Sequence, residues 1–429
     1  MSSEWKSTTL GEICKSQGGA IQTGPFGSQL HTSDYKEFGV PVVMPTNIGD
    51  GGIVEDGIAR IDQADVERLS QHKLQLGDIV FSRRGDVTKN ALIRPHEVGW
   101  FCGTGCLKVR LGDESKATAK FISHCLRMPD IKDWLIRHAV GATMPNLNTG
   151  ILSAVPIHLP PLKTQLEIAS MLGALDDRIS LLRETNTTLE AIAQALFKSW
   201  FVDFDPVRAK QQGNAPQGMD AATAALFPDS FEASELGKVP KGWRVKSLDS
   251  IAEYLNGLAL QKFPPEENNW LPVIKISQLR KGDTTGADRA NRNLKPEYII
   301  QNGDVLFSWS GSLEVIIWCG GEGALNQHLF KVTSADYPKW FYYLWTKHHL
   351  ANFQQIAESK ATTMGHIQRK HLTEAKVVVP PADFVAAANP CFEPLIERWI
   401  ATSIQVQTLA TLRDTLLPRL ISGQLRLPA

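Results

Sequence analysis

From Ile168 onward, apolar residues recur at alternating spacings of four and three: Ile168, Leu172, Leu175, Ile179, Leu182, Leu189, Leu196 and Trp200, with Asn186 and Ala193 keeping the register. A period of 3.5 held over about five heptads predicts a long coiled-coil helix, and a single Asn in such a seam fixes alignment at some cost in stability. The pattern returns at Phe392, Leu395, Trp399, Thr402, Val406, Leu409, Leu416 and Leu420, with Arg413 where the first stripe has Ala193. Two helices of about 40 residues, each about 60 Å long, are expected to pair with one another antiparallel.

The rest of the chain repeats as well. Trp5-Lys6 with Leu10 and Ile13 matches Trp243-Arg244 with Leu248 and Ile251, and Pro41-Val42-Val43 matches Pro272-Val273-Ile274. Gly77-Asp78-Ile79-Val80-Phe81-Ser82 matches Gly303-Asp304-Val305-Leu306-Phe307-Ser308, and Ala142-Thr143-Met144 before Pro160-Pro161 matches Thr362-Thr363-Met364 before Pro380-Pro381. The offset drifts from 238 to 220 while the order is kept. Loops therefore differ in length on a persistent framework, as expected when a duplicated scaffold carries different surfaces.

Within each copy, short apolar runs bounded by Gly, Pro and Asn read as strands, and helical patterns follow at 121–136 and 340–356. The fold class expected is α+β: two similar mixed domains with two long antiparallel helices and an internal pseudo-two-fold repeat. The boundaries expected are a first domain at 1–160, a central long helix at 161–205, a linker at 206–240, a second domain at 241–380 and a C-terminal long helix at 381–429. The linker is rich in Gly, Pro and Ala and is expected to hold at most one short helix, capped by Asp220.

Charge enters next. The 45 Lys+Arg balance 45 Asp+Glu, which argues against a polybasic nucleic-acid coat but leaves room for a local basic face. Residues 1–160 hold 17 of each sign, whereas 241–380 hold 17 basic and 13 acidic residues. The second domain concentrates Lys275, Arg280, Lys281, Arg289, Arg292 and Lys295, for which a solvated surface and a DNA face account equally well. Six scattered cysteines suit a reducing compartment, and the first fifteen residues lack the apolar core of a signal peptide. A cytoplasmic protein without a membrane segment is expected.

Phosphate-loop, nucleophile-elbow, zinc-protease and paired-cysteine metal motifs are missing, as is the Asn/Asp-Pro-Pro-aromatic tetrapeptide of DNA adenine methyltransferases. Recognition is expected rather than catalysis, with no metal and no cofactor in this chain. Side chains suited to reading DNA sit where the copies differ: Arg83 and Arg84 follow the shared motif in the first, Trp309 and Ser310 in the second. Arg can contact guanine O6 and N7 with two hydrogen bonds, and Asn or Gln can do the same with adenine N6 and N7. Asn47, Asn146 and Asn148 are candidates of that second type, as are Gln278, Gln327 and Gln368; Thr143, His328, Thr363 and His366 join them from the same segments. Lys275, Arg280 and Lys281 are candidates for phosphate contacts.

Tandem domains, each followed by a long helix, resemble the specificity subunit of type I restriction-modification systems. Pro160-Pro161-Leu162 with Gln165 resembles the start of that family's first conserved helix, and the run from Leu196 to Pro206 (Leu-Phe-Lys-Ser-Trp-Phe-Val-Asp-Phe-Asp-Pro) resembles its end. Residues 220–231 resemble its linker, and Leu416 to Leu425 its C-terminal end. Thr23-Gly24-Pro25-Phe26-Gly27-Ser28 resembles a recurring loop of its first domain, which adds Thr23, Gly24, Phe26 and Ser28 as DNA-contact candidates; the second copy departs there.

The resemblance implies a non-catalytic reader of double-stranded DNA in which each domain takes half of a bipartite target. It implies two methyltransferase subunits, bringing S-adenosylmethionine, and motor-nuclease subunits, bringing ATP and Mg2+. The specificity subunit of a system with fused nuclease and methyltransferase partners is an alternative, as is a coiled-coil assembly scaffold that never touches DNA.

Overall fold

The computed structural model describes residues 5–49, 52–141, 143–359 and 365–427. The chain divides into two compact units, one formed by Met1–Arg178 with Leu409–Ala429 and the other by Ile179–Thr408. Both long helices are thus shared between the units, a different partition from the sequence boundaries. The cause is packing. Ile168, Ala169 and Leu172 join Leu417, Leu420 and Ile421 in the core of the first unit. Ala193, Phe197 and Trp200 join Phe392, Ile396 and Ile400 in the core of the second.

In the first unit, strand Cys106–Gly112 lies between Gly18–Thr23 and Ile79–Ser82, antiparallel to both, and Asn90–Leu92 completes the sheet. Ile79 and Phe81 face one core with Leu107 and Val109, while Val80 faces another with Ala91 and Cys106. A strand covered on both faces reads as a continuous apolar run, which is why the shared motif does not alternate. The second unit builds the same sheet from Glu253–Asn256, Leu329–Thr333, Val305–Ser308 and Val315–Ile317.

A second, mixed sheet differs between the units. In the first, Val40–Val43 runs parallel to Phe101–Cys102 and antiparallel to Ala59–Ile61, with Tyr35–Lys36 at the edge beside Ala59–Ile61. In the second, Trp270–Ile274 runs parallel to Gly323–Leu325 and antiparallel to Arg289–Asn291, but the extra strand, Ile299–Ile300, sits at the opposite edge beside Gly323–Leu325. Each unit closes with a two-stranded pair, Lys6–Thr9 with Pro156–Leu159 and Arg244–Ser247 with Lys376–Val379. The helical pattern of the second copy is one helix, Lys339–Ser359, whereas that of the first is split into Ala119–Cys125 and Pro129–His138. Pro129 has no N–H to continue the first helix and instead starts the second at N1.

The long helices span Leu162–Phe197, followed by a π-helical turn at Lys198–Val202, and Ala382–Ile421. Within the second unit they run antiparallel: the Asn186 amide donates to Ser403 Oγ at 2.7 Å, Thr402 Oγ1 donates to Asn186 Oδ1, and the Trp200 and Phe392 rings lie 5.3 Å apart. Of the seam residues, Ile168, Leu172, Ile179, Leu182, Trp200, Phe392, Val406 and Leu420 are buried. Leu175, Asn186, Leu189, Leu196, Leu395, Trp399, Leu409 and Leu416 are half-buried.

Residues 206–240 are not the sparse linker expected from their composition. They form helices Asp205–Gln211 and Ala221–Leu226 and a hairpin of Phe231–Ser234 with Gly237–Pro240. Asp220 caps the second helix, accepting from Thr223 N at 2.7 Å. Val207, Phe227 and Val239 are buried in the core of the second unit. Single apolar residues spaced among Gly, Pro and Ala leave no periodicity to read, yet burial of each removes a large apolar side chain from water. No helix among the described residues is long and apolar enough to cross a membrane.

Candidate DNA-recognition surfaces

The motif shared by the two copies builds a brace for the loop that follows. Gly77 and Gly303 take positive φ, +82° and +90°, which suits glycine. The next residue closes that turn: Asp78 Oδ2 accepts from Gln75 N at 2.8 Å, and Asp304 Oδ2 from Gln301 N at 2.7 Å. Both carboxylates are ion-paired, Asp78 to Arg110 through two bonds of 2.7 and 2.6 Å and Asp304 to Lys331 at 2.7 Å. At the other end of the strand, Ser82 Oγ donates to Arg84 O at 2.8 Å and Ser308 Oγ donates to Ser312 O at 2.7 Å. The motif thus fixes the start of a loop whose side chains differ between copies.

In the first unit that loop meets two other segments. Arg83 N donates to Gly105 O and Leu147 N donates to Arg83 O, both at 2.9 Å, while Arg84 bridges to Asn146. The guanidinium of Arg83 lies 6.0 Å from the centre of the Phe26 ring, and its Nε is buried without a hydrogen-bond partner. Phe26 is 57% exposed. It is held out by the loop after Gly18–Thr23, where a Cβ on Gly24 would stand 1.9 Å from Gly103 O, so only glycine fits. Asn146 exchanges backbone bonds with Val140, and Val140 and Met144 are 62% and 60% exposed. Thr143, Ser28 and Arg84 are exposed, and Thr23 is half-buried at the strand end. The spacing arguments missed Val140 and Met144; Met144 carried a signal, since it belongs to the repeated Thr-Met segment.

Two first-domain candidates serve the fold. Asn47 is only 4% exposed; its Oδ1 accepts from Met44 N at 3.1 Å and its Nδ2 donates to Val54 O at 3.2 Å, so it is a buried turn residue. Asn148 is exposed but caps helix Thr149–Ser153, its Oδ1 accepting from Ile151 N at 2.9 Å.

The matching place in the second unit is filled by rings whose polar atoms bond neighbouring side chains and backbone. Trp309 Nε1 donates to Asn256 Oδ1 at 2.9 Å and to Gln327 O at 3.2 Å. Ser310, itself buried, places Oγ 2.9 Å from His328 Nδ1, and Gln327 Nε2 lies 3.4 Å from His328 Nε2. The His328 and His366 rings sit 5.9 and 6.4 Å from Trp309, and Ser310 bridges to His366. Gln368 is exposed at the start of helix Arg369–Glu374. Thr363 lies outside the described residues.

The basic cluster of the second unit is largely neutralised. Lys275 pairs with Asp288, Arg280 with Glu314 at 3.6 Å and Arg292 with Glu322, while Arg289 stacks 4.1 Å from the Trp270 ring centre. Gln278 is 4% exposed and its Oε1 accepts from Ser277 Oγ at 2.8 Å, so as a base reader it would first have to be unburied. Lys281 remains exposed. The solvated-surface reading of this cluster therefore gains over the DNA-face reading. Among the described residues no group of three or more His, Cys, Asp or Glu side chains could hold a metal ion.

The family described as type I restriction modification DNA specificity domain matches residues 2–191 and 240–383. The chain belongs to that family. The two matched segments correspond to the two copies of the repeat, and the family supplies the role that the motifs point to, DNA specificity. Among curated relatives, the MjaIX type I restriction enzyme specificity subunit of Methanocaldococcus jannaschii is 26% identical over 317 residues, covering 72% of this chain and 69% of the relative. The HindI specificity subunit of Haemophilus influenzae is 25% identical over 338 residues, covering 68% and 73%. The type I restriction-modification system S subunit from M. genitalium has the same fold, with a TM-score of 0.53 at 14% identity over 97% of this chain and 96% of that one.

Proposed function

We propose that this chain is the DNA-reading subunit of a type I restriction-modification complex, and that its two globular domains read different halves of a bipartite target. The observation that carries this reading is one sheet framework, built twice, holding two unlike surfaces: Arg83 beside Phe26 in one copy, and Trp309 with Ser310 and His328 in the other. Loop side chains on a rigid frame give direct readout of base edges, while further cations position the duplex. Duplication within one chain does what a two-fold axis does in dimeric repressors, except that unlike domains take unlike half-sites. The paired long helices set the gap between half-sites and offer surface to two methyltransferase subunits. Those subunits would bring S-adenosylmethionine for adenine methylation, and motor-nuclease subunits would bring ATP and Mg2+.

The test is to replace residues 1–160 with the corresponding domain of a relative, assemble the methyltransferase complex and map methylated adenines genome-wide. One half of the motif is expected to change while the other and the gap stay the same; a change in both halves overturns the modular reading. Deleting one heptad from each long helix is expected to shorten the gap. DNA affinity of the complex is expected to fall steeply with salt, because phosphate contacts release counterions, whereas an assembly scaffold would give a flat response.

A further inference from the structure

We propose that Arg83 reads a guanine in the half-site of the first domain, with Phe26 as the platform that holds its side chain in place. The inference rests on the DNA-reading function above and names the residue that would decide one base pair of the target.

Three observations converge on Arg83. First, its backbone is fixed from both sides, by Gly105 O and Leu147 N, directly after the strand whose Ser82 braces the loop. A reading side chain needs such a base, because a misplacement of an ångström forfeits paired hydrogen bonds. Second, its guanidinium lies against the Phe26 ring at 6.0 Å with Nε enclosed and unpartnered, so the stem is held before any ligand arrives. An Arg side chain already held beside a ring and partly enclosed loses less freedom on binding than a free Lys would. Third, no carboxylate pairs with Arg83 among the described residues, whereas Lys275, Arg280 and Arg292 of the second unit are paired to acids. A half-buried guanidinium without a counterion is suited to an acceptor from outside.

The acceptor is identified by geometry. The fork of an Arg matches guanine O6 and N7 in the major groove, and no other base offers two acceptors there in that arrangement. Arg84, exposed and bridged through its backbone to Asn146, is assigned to phosphate. Phe26 is large, apolar and mostly exposed in the free protein, and DNA seated on Arg83 would cover it.

The experiment uses the assembled methyltransferase complex with wild-type chain, Arg83→Ala, Arg83→Lys and Arg84→Ala. Wild type is expected to methylate a motif with a guanine, on either strand, in the half assigned to the first domain by domain replacement. Arg83→Ala is expected to relax that one position, lowering the preference for guanine about tenfold or more with the other half of the motif unchanged, and Arg83→Lys, which loses the planar fork but keeps a donor, is expected to lower it less. An intact second half-site reports that the variant is folded, and Arg83→Lys keeps the charge and the stem. Arg84→Ala is expected to weaken all sites alike and to lower the salt dependence by about one counterion. Duplexes carrying 7-deazaguanine at the assigned position are expected to bind wild type more weakly and Arg83→Ala unchanged. A half-site without guanine, an unchanged motif in Arg83→Ala, or indifference of wild type to 7-deazaguanine at every guanine of the half-site overturns the assignment. A wild-type complex that binds no DNA sequence selectively would instead overturn the function on which it rests.

Discussion

The two recognition surfaces stand on the same sheet but are prepared in opposite ways. In the first unit Arg83 and the exposed Arg84 follow the brace, and neither is paired to a carboxylate among the described residues. In the second, Trp309, Ser310, Gln327 and His328 already satisfy one another through hydrogen bonds. The same contrast runs inward to where each unit grips the long helices. The first uses a charged cluster: Asp176 accepts from Arg127 Nη2 at 2.5 Å and from Arg413 Nη1 at 3.0 Å, and Arg127 Nη2 also donates to His124 Nδ1 at 2.6 Å. The second uses rings, with Phe201 between 5.7 and 5.9 Å from Trp243, Trp340, Phe341 and Phe392. The first copy thus adds a buried charged cluster to its apolar contacts with the helices, where the second packs a cluster of rings beside the Lys347–Glu190 pair.

The largest effect is expected at the apolar grip. Phe201→Ala empties a fully buried site and should cost about 4 kcal/mol, read as a fall in the denaturant midpoint of the second unit. If the first unit fell equally, the grips would not be separate. At the ionic grip, Asp176→Asn should cost about 3 kcal/mol by taking the anion from the buried Arg127 guanidinium, while Arg413 keeps its pair with Asp414. A near-neutral result would show that Arg127 and Arg413 do not depend on it.

Acid should attack the same cluster. Burial and then the Arg127 charge push the His124 imidazole down to about 3, so the unfolded chain, titrating near 6.5, binds more protons over that interval. Stability of the first unit should therefore decline as pH drops from about 6.5 towards 3, and His124→Gln should remove part of that slope. Burial alone would raise the Asp176 carboxyl, but the arginines outweigh it and hold it below the ordinary carboxylate range. Its contribution is present above about pH 4 and is lost only as pH falls through that lower value. Unfolding monitored from pH 7 to 3 in wild type and His124→Gln separates the two groups.

Smaller effects test the surfaces. Trp309→Phe removes the N–H that Asn256 and Gln327 share and should lower stability by about 1 kcal/mol, seen in thermal unfolding. Arg84→Ala, on the open surface, should change stability by less than about 0.5 kcal/mol. Equal losses in the two variants would erase the distinction between a locked and an open surface.

The repeat and the heptads were legible because both are periodic signals that survive loop variation. Asn186, read as a register residue, bonds across the seam to Thr402 and Ser403. The partners of Lys275, Arg280 and Arg292 were not legible, since Asp288, Glu314 and Glu322 lie 13 to 34 residues away and only the fold brings them near. Asn47 and Gln278 looked like base readers by residue type, and burial decided otherwise. The edge strands Tyr35–Lys36 and Ile299–Ile300 are two residues each, too short for any alternation to show.

The hydroxyl brace at Ser82 and Ser308 has a consequence for descent. It grips a main-chain carbonyl, which every residue type supplies, and so it is blind to the side chains of the loop it anchors. Lineages can exchange residues of the loop while keeping this joint, and each exchange offers a different face to the genome. A protein whose value lies in recognising what its neighbours do not is well served by a joint that inherits no preference.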